Sequence, residues 1–446
     1  MKAFTPVYVP VGVPTFHLES AEDQFRRSVT LLRSVDPAFV CPEEMLLSVD
    51  KLRAYLDGLQ PDLIVFQNLT FANAAYISEV LRRFSCPLLL WTLREPVIDG
   101  GRLRLNSLTG AYSAANALRA FDDRPFSYTL GSPEEDQVAE TVRACTRAAR
   151  IKAEMRGLKM AAVGHTPQGF GFGRALDAEL MNVFGVELET IEARELIDLA
   201  NSYSDEECAP YLEKTARATC GLDKTPERNR LDHARLYKAY SDYVRRQGVG
   251  ALASRCWPDF FTAYGTPVCT VLSLLNDEGV AAACEADVYG ALSMWVGMRL
   301  SGQPVFFGDP VSINEEESSL TFWHCGAAAC SLARKDTGAE IGVHPNRKIG
   351  PAMNFGCEAF PGATVFRIGR EPDGSFRFFI AEGEGLDKPR QFIGASLVVR
   401  TDAESARLVQ ESVLAGFEPH FAVMKGRHGR ALEELAKMLG AKVYRW

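Results

Sequence analysis

Pro87-Leu88-Leu89-Leu90-Trp91 is a continuous apolar run with no polar residue for either face of a strand. A strand written this way is covered on both sides, as in a parallel sheet flanked by helices. Working outward, Val7-Tyr8-Val9 and Leu63-Ile64-Val65-Phe66 read as further strands, and helical patterns fill the intervals, as at 74–84 and 134–156. Strand–helix alternation of this kind predicts a parallel α/β domain over residues 1–156.

The alternation restarts at Met160-Ala161-Ala162-Val163-Gly164, after a long charged helix. A loop follows, His165-Thr166-Pro167-Gln168-Gly169-Phe170-Gly171-Phe172-Gly173, then a predicted helix from about Arg174 and a strand over 186–191. The polar, helical stretch 204–246 leads to Gly250-Ala251-Leu252-Ala253-Ser254-Arg255-Cys256, which returns to the sheet. The expectation is a second Rossmann-like parallel-sheet α/β domain over 157–303. Beyond Pro304, short β-like runs at 363–368, 376–381 and 396–400 alternate with turns such as Pro372-Asp373-Gly374-Ser375. They predict a mainly β C-terminal domain over 304–446, closed by a helix at 430–439.

Composition narrows the function. A chain of 446 residues exceeds what one core usually serves, so several domains fit its length. Its formal charge of −8, with basic residues scattered, argues against nucleic acid as a partner, because phosphate binding needs a dense Lys/Arg face. The start, Met1-Lys2-Ala3-Phe4-Thr5-Pro6, leads into an apolar patch broken by Pro10 and Pro14, which is not the pattern of a signal peptide. The longest apolar stretch, 280–300, contains Glu285, Asp287 and Arg299, so it reads as a buried helix and not a membrane span. Eleven cysteines, an odd number without a C-x-x-C pair, fit neither a disulfide framework nor a zinc ribbon. Buried thiols in a reducing compartment, and hence a cytoplasmic protein, are expected.

Several places invite chemistry. The loop Gly169-Phe170-Gly171-Phe172-Gly173 lies where nucleotide loops lie, but its third glycine comes one residue early for G-x-G-x-x-G. It reads as a tight turn, or as a loop whose backbone N–H groups line a substrate. In Val280-Ala281-Ala282-Ala283-Cys284-Glu285-Ala286-Asp287-Val288-Tyr289, a carboxylate among small apolar side chains is costly to bury without a cation or a hydrogen-bond partner. The pattern does not choose between Glu285 and Asp287. Asp309 ends the apolar run Pro304-Val305-Phe306-Phe307-Gly308, at a strand end where ligands often bind, although an Asx turn is the commoner outcome. Of seven histidines, His420 stands at the entrance of the alternating run Phe421-Ala422-Val423-Met424, and His324 lies in Trp323-His324-Cys325-Gly326, read as a small-residue turn. Two carboxylates and one imidazole make a hard site suited to Mn²⁺ or Mg²⁺.

At these residues the chain resembles the L-fucose isomerase family. Cys284-Glu285-Ala286-Asp287, taken as helical, Phe307-Gly308-Asp309 and Pro419-His420-Phe421-Ala422-Val423 carry the resemblance over roughly the last two thirds of the chain. The 164–169 loop and Arg255-Cys256-Trp257-Pro258 also look like family segments. The resemblance implies a metal-dependent aldose–ketose isomerase working through an ene-diol. Glu285, Asp309 and His420 would bind one Mn²⁺, or another divalent cation such as Mg²⁺ or Co²⁺, with Glu285 and Asp309 also moving the proton. His165, Gln168, Phe170, Trp257 and His324 are the expected sugar contacts. A homo-oligomer, trimer or hexamer, is implied too, with 66–71 either a contact to a neighbouring subunit or an ordinary buried strand end. The chain looks shorter than the fucose isomerases and has Pro419 where they place a polar stretch. The sugar is therefore left among a deoxy-hexose, a pentose and an acidic or sulfonated hexose. A catalytically inactive sugar-binding or regulatory protein on the same fold is the alternative, and a nicotinamide-dependent oxidoreductase a weaker one.

Overall fold

The computed structural model describes residues 3–122 and 124–446; Met1 and Lys2, which open the N-terminal stretch read above, lie outside them. Contacts group the chain into two units, one running to Glu154 and including Arg430–Gly440, the other formed by Met155–Gly429 and Ala441–Trp446.

In the first unit, β1 (Pro6–Val11), β2 (Leu63–Asn68), β3 (Leu88–Thr92) and β4 (Ser127–Leu130) lie side by side in chain order, all parallel. Successive residues feed two different cores. Val7, Val9, Ile64, Phe66, Leu88 and Leu90 join one cluster, while Tyr8, Leu63, Val65, Leu89 and Trp91 join the other. That two-sided burial is what an unbroken apolar run requires. Of the segment 66–71, Phe66–Thr70 is buried within the chain and Phe71 is half-buried.

The second unit holds two sheets. β5 (Lys159–Val163), β6 (Glu187–Ile191), β7 (Ala251–Ser254) and β8 (Ala281–Cys284) form a parallel sheet in the order β6-β5-β7-β8. Then come β9 (Phe306–Asn314), β10 (Ser319–His324), the short pair β11 (Ile341–Gly342) and β12 (Ala352–Met353), β13 (Phe360–Arg370), β14 (Phe376–Gly385), β15 (Ala395–Thr401), β16 (Phe421–Lys425) and β17 (Lys442–Arg445). The order β13-β16-β9-β10-β15-β14 is closed by pairing of β13 with β14, giving an antiparallel barrel, with β17 added parallel to β14. Leu320 and Phe322, Phe379 and Ala381, Leu397 and Val399, Phe421 and Val423 fill one core cluster in period-two pairs, as barrel strands with one inward face must. The fold is thus two parallel α/β regions followed by a mainly β region. The helix Gly429–Leu439 falls, from Arg430 on, within the first unit. Among the described residues no helix is long and apolar enough to cross a membrane.

Several local expectations are corrected. The stretch 280–300 is not one helix: β8 ends at Cys284, Glu285 and Ala286 turn through positive φ of 59° and 55°, and a helix runs over Val288–Ser301. Asp287 caps that helix by accepting from the Gly290 N–H at 2.8 Å. Strand and helix are both buried there, so apolarity could not separate them. No long helix starts near Arg174; a 3₁₀ turn at Gly171–Gly173 is followed by a single turn, Asp177–Glu179, and a π-helical segment, Leu180–Phe184. The strand carrying Asp309 does not stop at Pro310. It continues to Asn314 through a bulge, where the register with β10 jumps from Pro310↔Phe322 to Ser312↔Thr321 and leaves Val311 unpaired. His324 is the last residue of β10 and is buried, rather than lying in a turn.

Candidate active site

The register of the barrel assembles most of the site. β16 runs antiparallel to β9 with Phe421 opposite Gly308, and one step further along this register faces His420 with Asp309. β10 pairs Trp323 with Asp309, which brings His324 alongside. Glu285 arrives from the parallel sheet, at the carboxyl end of β8, where ligands of open α/β sheets characteristically bind.

His420 is the centre of this group and is 1% exposed. Its Nδ1 lies 2.9 Å from Asp287 Oδ2, while Nε2 faces Glu285 Oε2 at 3.0 Å and Asp309 Oδ1 at 3.5 Å. Asp287 is clamped from behind by Arg367, fully buried in β13, with Nη1 to Oδ2 at 2.5 Å and Nη2 to Oδ1 at 2.9 Å. An ionised carboxylate only accepts, so Nδ1 carries the hydrogen and Nε2 is the nitrogen turned to the two remaining carboxylates. The rings of Phe307, Phe172 and Phe170 lie 5.0, 5.4 and 6.3 Å from that of His420 and enclose it in apolar surface.

The electrostatics follow from burial opposed by charge. Burial alone would depress His420, but hydrogen bonds to Asp287 and Glu285 outweigh it and raise the imidazole to about 9. Burial pushes Asp287 up, and Arg367 and His420 more than reverse this, holding it well below the ordinary carboxylate range. Glu285 likewise ends below its ordinary value, burial being overcome by the His420 hydrogen bond. Asp309 goes the other way: burial dominates, the negative charges of Glu285 and Asp287 add to it, and its carboxyl is raised. Two neighbouring carboxyls pushed in opposite directions are the usual preparation for one base and one acid.

Of the expected sugar contacts, three gather here. Trp257 donates from Nε1 to Glu285 Oε1 at 3.3 Å, and Phe170 packs 6.4 Å from the Trp257 ring. His324 Nδ1 accepts backbone N–H bonds from Gly326 and Ala327, so its Nε2 carries the hydrogen and is a donor available to an oxygen. Burial lowers its pKa, against the pull of Glu285 and Asp309, which keeps it a neutral donor. His165 and Gln168 are exposed, and the contact of His165 is with Glu192 at 3.8 Å. The glycine loop holds no helix start that could cradle a pyrophosphate. Its Gly173 instead lies against the Asp287 turn, where a Cβ would stand 2.8 Å from the Asp287 Cα. Arg367 escaped the sequence reading. The available signal was an arginine inside Thr364-Val365-Phe366-Arg367-Ile368, a run otherwise without charge.

Two groups could be asked to hold a metal. Among the described residues, Cys269, Cys325 and His344 alone have ligand atoms all within 4.8 Å of one another. Yet His344 Nδ1 accepts N–H bonds from Asn346 and Arg347, so its Nε2 bears a hydrogen and is not a free lone pair. That group reads as buried thiols beside a donor. The Glu285, Asp309 and His420 donors are spread more widely, so a shared ion requires one carboxylate to rotate toward Nε2. They fit a divalent cation nonetheless, because three carboxylates surround His420 and only Asp287 among them is paired with an arginine, and this surplus negative charge already draws a proton onto His420.

Comparison with known proteins agrees with this architecture. Residues 323–446 match the family model of the L-fucose isomerase C-terminal domain. The chain is 60% identical to a sulfoquinovose isomerase of Clostridium sp. (strain MSTE9), over 100% of both chains. It is 36% identical to the sulfoquinovose isomerase of Priestia aryabhattai over 100% of both chains, and 37% identical to that of Alkalicoccus urumqiensis over 98% of each. With its parallel sheets, its closed barrel and full-length similarity of this degree, the chain belongs to the L-fucose isomerase-like family and is a sugar isomerase of the aldose–ketose type.

Proposed function

We propose that this chain converts a sulfonated hexose, sulfoquinovose, into the corresponding 2-ketose through an ene-diol. One divalent cation of the Mn²⁺ type would be held by Glu285, Asp309 and His420. The observation that carries this reading is the two-sided use of His420, with Nδ1 tied to Asp287 at 2.9 Å and Nε2 turned to Glu285 at 3.0 Å and Asp309 at 3.5 Å. A carboxylate behind a ligating imidazole is the standard support of a metal-bound histidine. The oxygen-rich donor set suits Mn²⁺, Mg²⁺ or Co²⁺ better than a thiophilic ion. The choice of sugar is supported by the full-length relatives, which are sulfoquinovose isomerases. A homo-oligomer, trimer or hexamer, belongs to the same reading.

When bound, the cation would polarise the oxygens on C1 and C2 of the open-chain sugar and stabilise charge developing there. Glu285, held ionised, takes the C2 proton; the C–H pair becomes the C1–C2 double bond and the carbonyl pair moves onto O1. The O2 proton passes to O1. Asp309 serves C1, passing a proton to it as the O2 pair re-forms a carbonyl at C2. Exchange with solvent returns both carboxyls to their starting states. The Nε2–H of His324 is the neutral donor available to a sugar oxygen.

Turnover of sulfoquinovose by the Mn²⁺-loaded protein in D₂O tests the scheme. Solvent deuterium is expected at C1 of the ketose, and Glu285→Gln and Asp309→Asn should each lose on the order of 10²-fold or more in kcat. A product free of deuterium, with near-normal turnover in both metal-loaded variants, would favour a hydride shift and overturn the assignment.

A further inference from the structure

A cation without a carboxylate stands next to the site. Arg347 and Lys348 occupy the tip of the hairpin that joins β11 to β12, and both are exposed. The guanidinium of Arg347 lies 5.3 Å over the ring of Trp257, the same indole that donates to Glu285. Among the described residues neither Arg347 nor Lys348 has an acidic side chain within ion-pair distance. The nearby Arg255, by contrast, is engaged with Asp259 at 2.9 Å and with the Trp257 carbonyl at 3.1 Å.

The tip is braced. His344, 5% exposed, packs its ring 4.9 Å from Phe261 and accepts on Nδ1 from the N–H groups of both Asn346 and Arg347. Its own backbone bonds to Ile349 and Lys348 at 2.9 Å each. Lys348 takes a φ of 58°, a left-handed conformation that a non-glycine residue holds at a cost and that these bonds sustain. A hydrogen-bonded tip that lays an unpaired guanidinium on an aromatic ring is prepared to receive a planar or tetrahedral oxyanion, which Arg binds through a fork of two N–H groups. The indole also connects the two ends of the arrangement, with Glu285 at its nitrogen and Arg347 over its face.

We propose that Arg347, supported by Lys348, is the specificity-determining residue that binds the anionic sulfonate end of the sugar while Glu285 and Asp309 act at C1 and C2. This inference rests on the sulfonated-substrate reading above.

The test compares full-length, Mn²⁺-loaded wild type, Arg347→Gln and Arg347→Lys on sulfoquinovose, 6-deoxyglucose and glucose 6-phosphate. Loss of a hydrogen-bonded charge pair corresponds to roughly 10- to 100-fold in affinity. Arg347→Gln should therefore raise KM for sulfoquinovose by that factor with kcat changed far less, and Arg347→Lys, which keeps charge but loses the fork, should fall between. Rising salt should raise the wild-type KM and affect Arg347→Gln less. An unchanged KM in Arg347→Gln, or a fall in kcat matching that in kcat/KM, would overturn the role of Arg347 and leave the substrate reading standing. A wild type no better on sulfoquinovose than on 6-deoxyglucose would overturn the substrate reading and Arg347 with it. Equal use of glucose 6-phosphate would replace the sulfonate with a phosphate as the recognised group.

Discussion

Asp287→Asn is the most informative single change, because it keeps the shape of the side chain while removing its charge and one of its two acceptor oxygens. Asparagine caps a helix as well as aspartate does, but Asp287 accepts from the Gly290 N–H on Oδ1 and from His420 Nδ1 on Oδ2, so the single amide oxygen keeps only one of these two bonds. Also lost is the partner of Arg367, whose guanidinium is 0% exposed and reaches Asp287 through contacts of 2.5 and 2.9 Å. Breaking a buried pair by neutralising one member leaves the other charge uncompensated, at a cost of about 3–5 kcal/mol. That is a large share of the roughly 5–15 kcal/mol that holds a folded domain. Replacing both members by shape-matched neutral groups should cost much less, so Asp287→Asn combined with Arg367→Met is expected to recover much of the loss. Urea unfolding of the metal-free protein, followed by tryptophan fluorescence, measures both variants and the Arg367→Met control. The cycle should show a coupling of about 3 kcal/mol between the two sites. A loss below about 1 kcal/mol in Asp287→Asn, or strictly additive effects in the double variant, would refute the claim that this ion pair anchors the site.

Two further predictions concern the same corner. The His420 imidazole, raised to about 9 by its carboxylate partners, must be neutral at Nε2 to ligate a metal, so binding of the proposed Mn²⁺ would displace a proton below that pH. Affinity should rise about tenfold per unit between pH 6.5 and 8.5, with about one proton released per ion, measurable by calorimetry in buffers of different ionisation enthalpy. A flat profile would show that His420 is not a ligand. Gly173→Ala places a methyl 2.8 Å from the Asp287 Cα, and a backbone neighbour cannot swing aside. It should cost about 1–3 kcal/mol of stability and lower kcat/KM of the metal-loaded enzyme more than tenfold, whereas Gly171→Ala, with nothing within 4 Å, should be nearly silent in both measurements.

Parts of this molecule are readable from single segments and parts are not, and the division is physical. Pro87–Trp91 declared a two-sided sheet because burial on both faces leaves no room for a polar residue, and β3 feeds two cores. The β run after Pro304 was equally plain, since period two is local. Asp309 and His420 stood out as polar residues at the margins of apolar strands, and it is the antiparallel register of β9 and β16 that sets them opposite each other. The pairing of Arg367 with Asp287 was not readable. It joins residues far apart in sequence, and no local pattern reports which buried carboxylate a buried arginine will find. The helix expected from Arg174 failed for a related reason. Its residues answer to the Asp287 turn and to Glu179, which receives Tyr289 and Arg370, more than to their own helical preference.

Glu285 and Asp287 show most clearly where pattern ends. Both carboxylates lie among alanines, valine and tyrosine, and as members of a helix they would have been interchangeable. The chain instead stops its strand at Cys284 and spends two residues in the left-handed region, at φ 59° and 55°, where non-glycine side chains rarely go. That turn gives the two acids different jobs. Glu285 is left facing Trp257 and His420 Nε2, 16% exposed and within reach of a ligand. Asp287 is drawn into the helix cap, against Arg367 and His420 Nδ1, where at 1% exposure it meets no ligand at all. Backbone strain of this kind persists only where surrounding bonds over-determine it, and here they do: the cap, the arginine pair and the imidazole all converge on one carboxylate. The cost of the turn is thus offset at Asp287, while its product, a carboxylate presented beside an oriented imidazole, appears at Glu285.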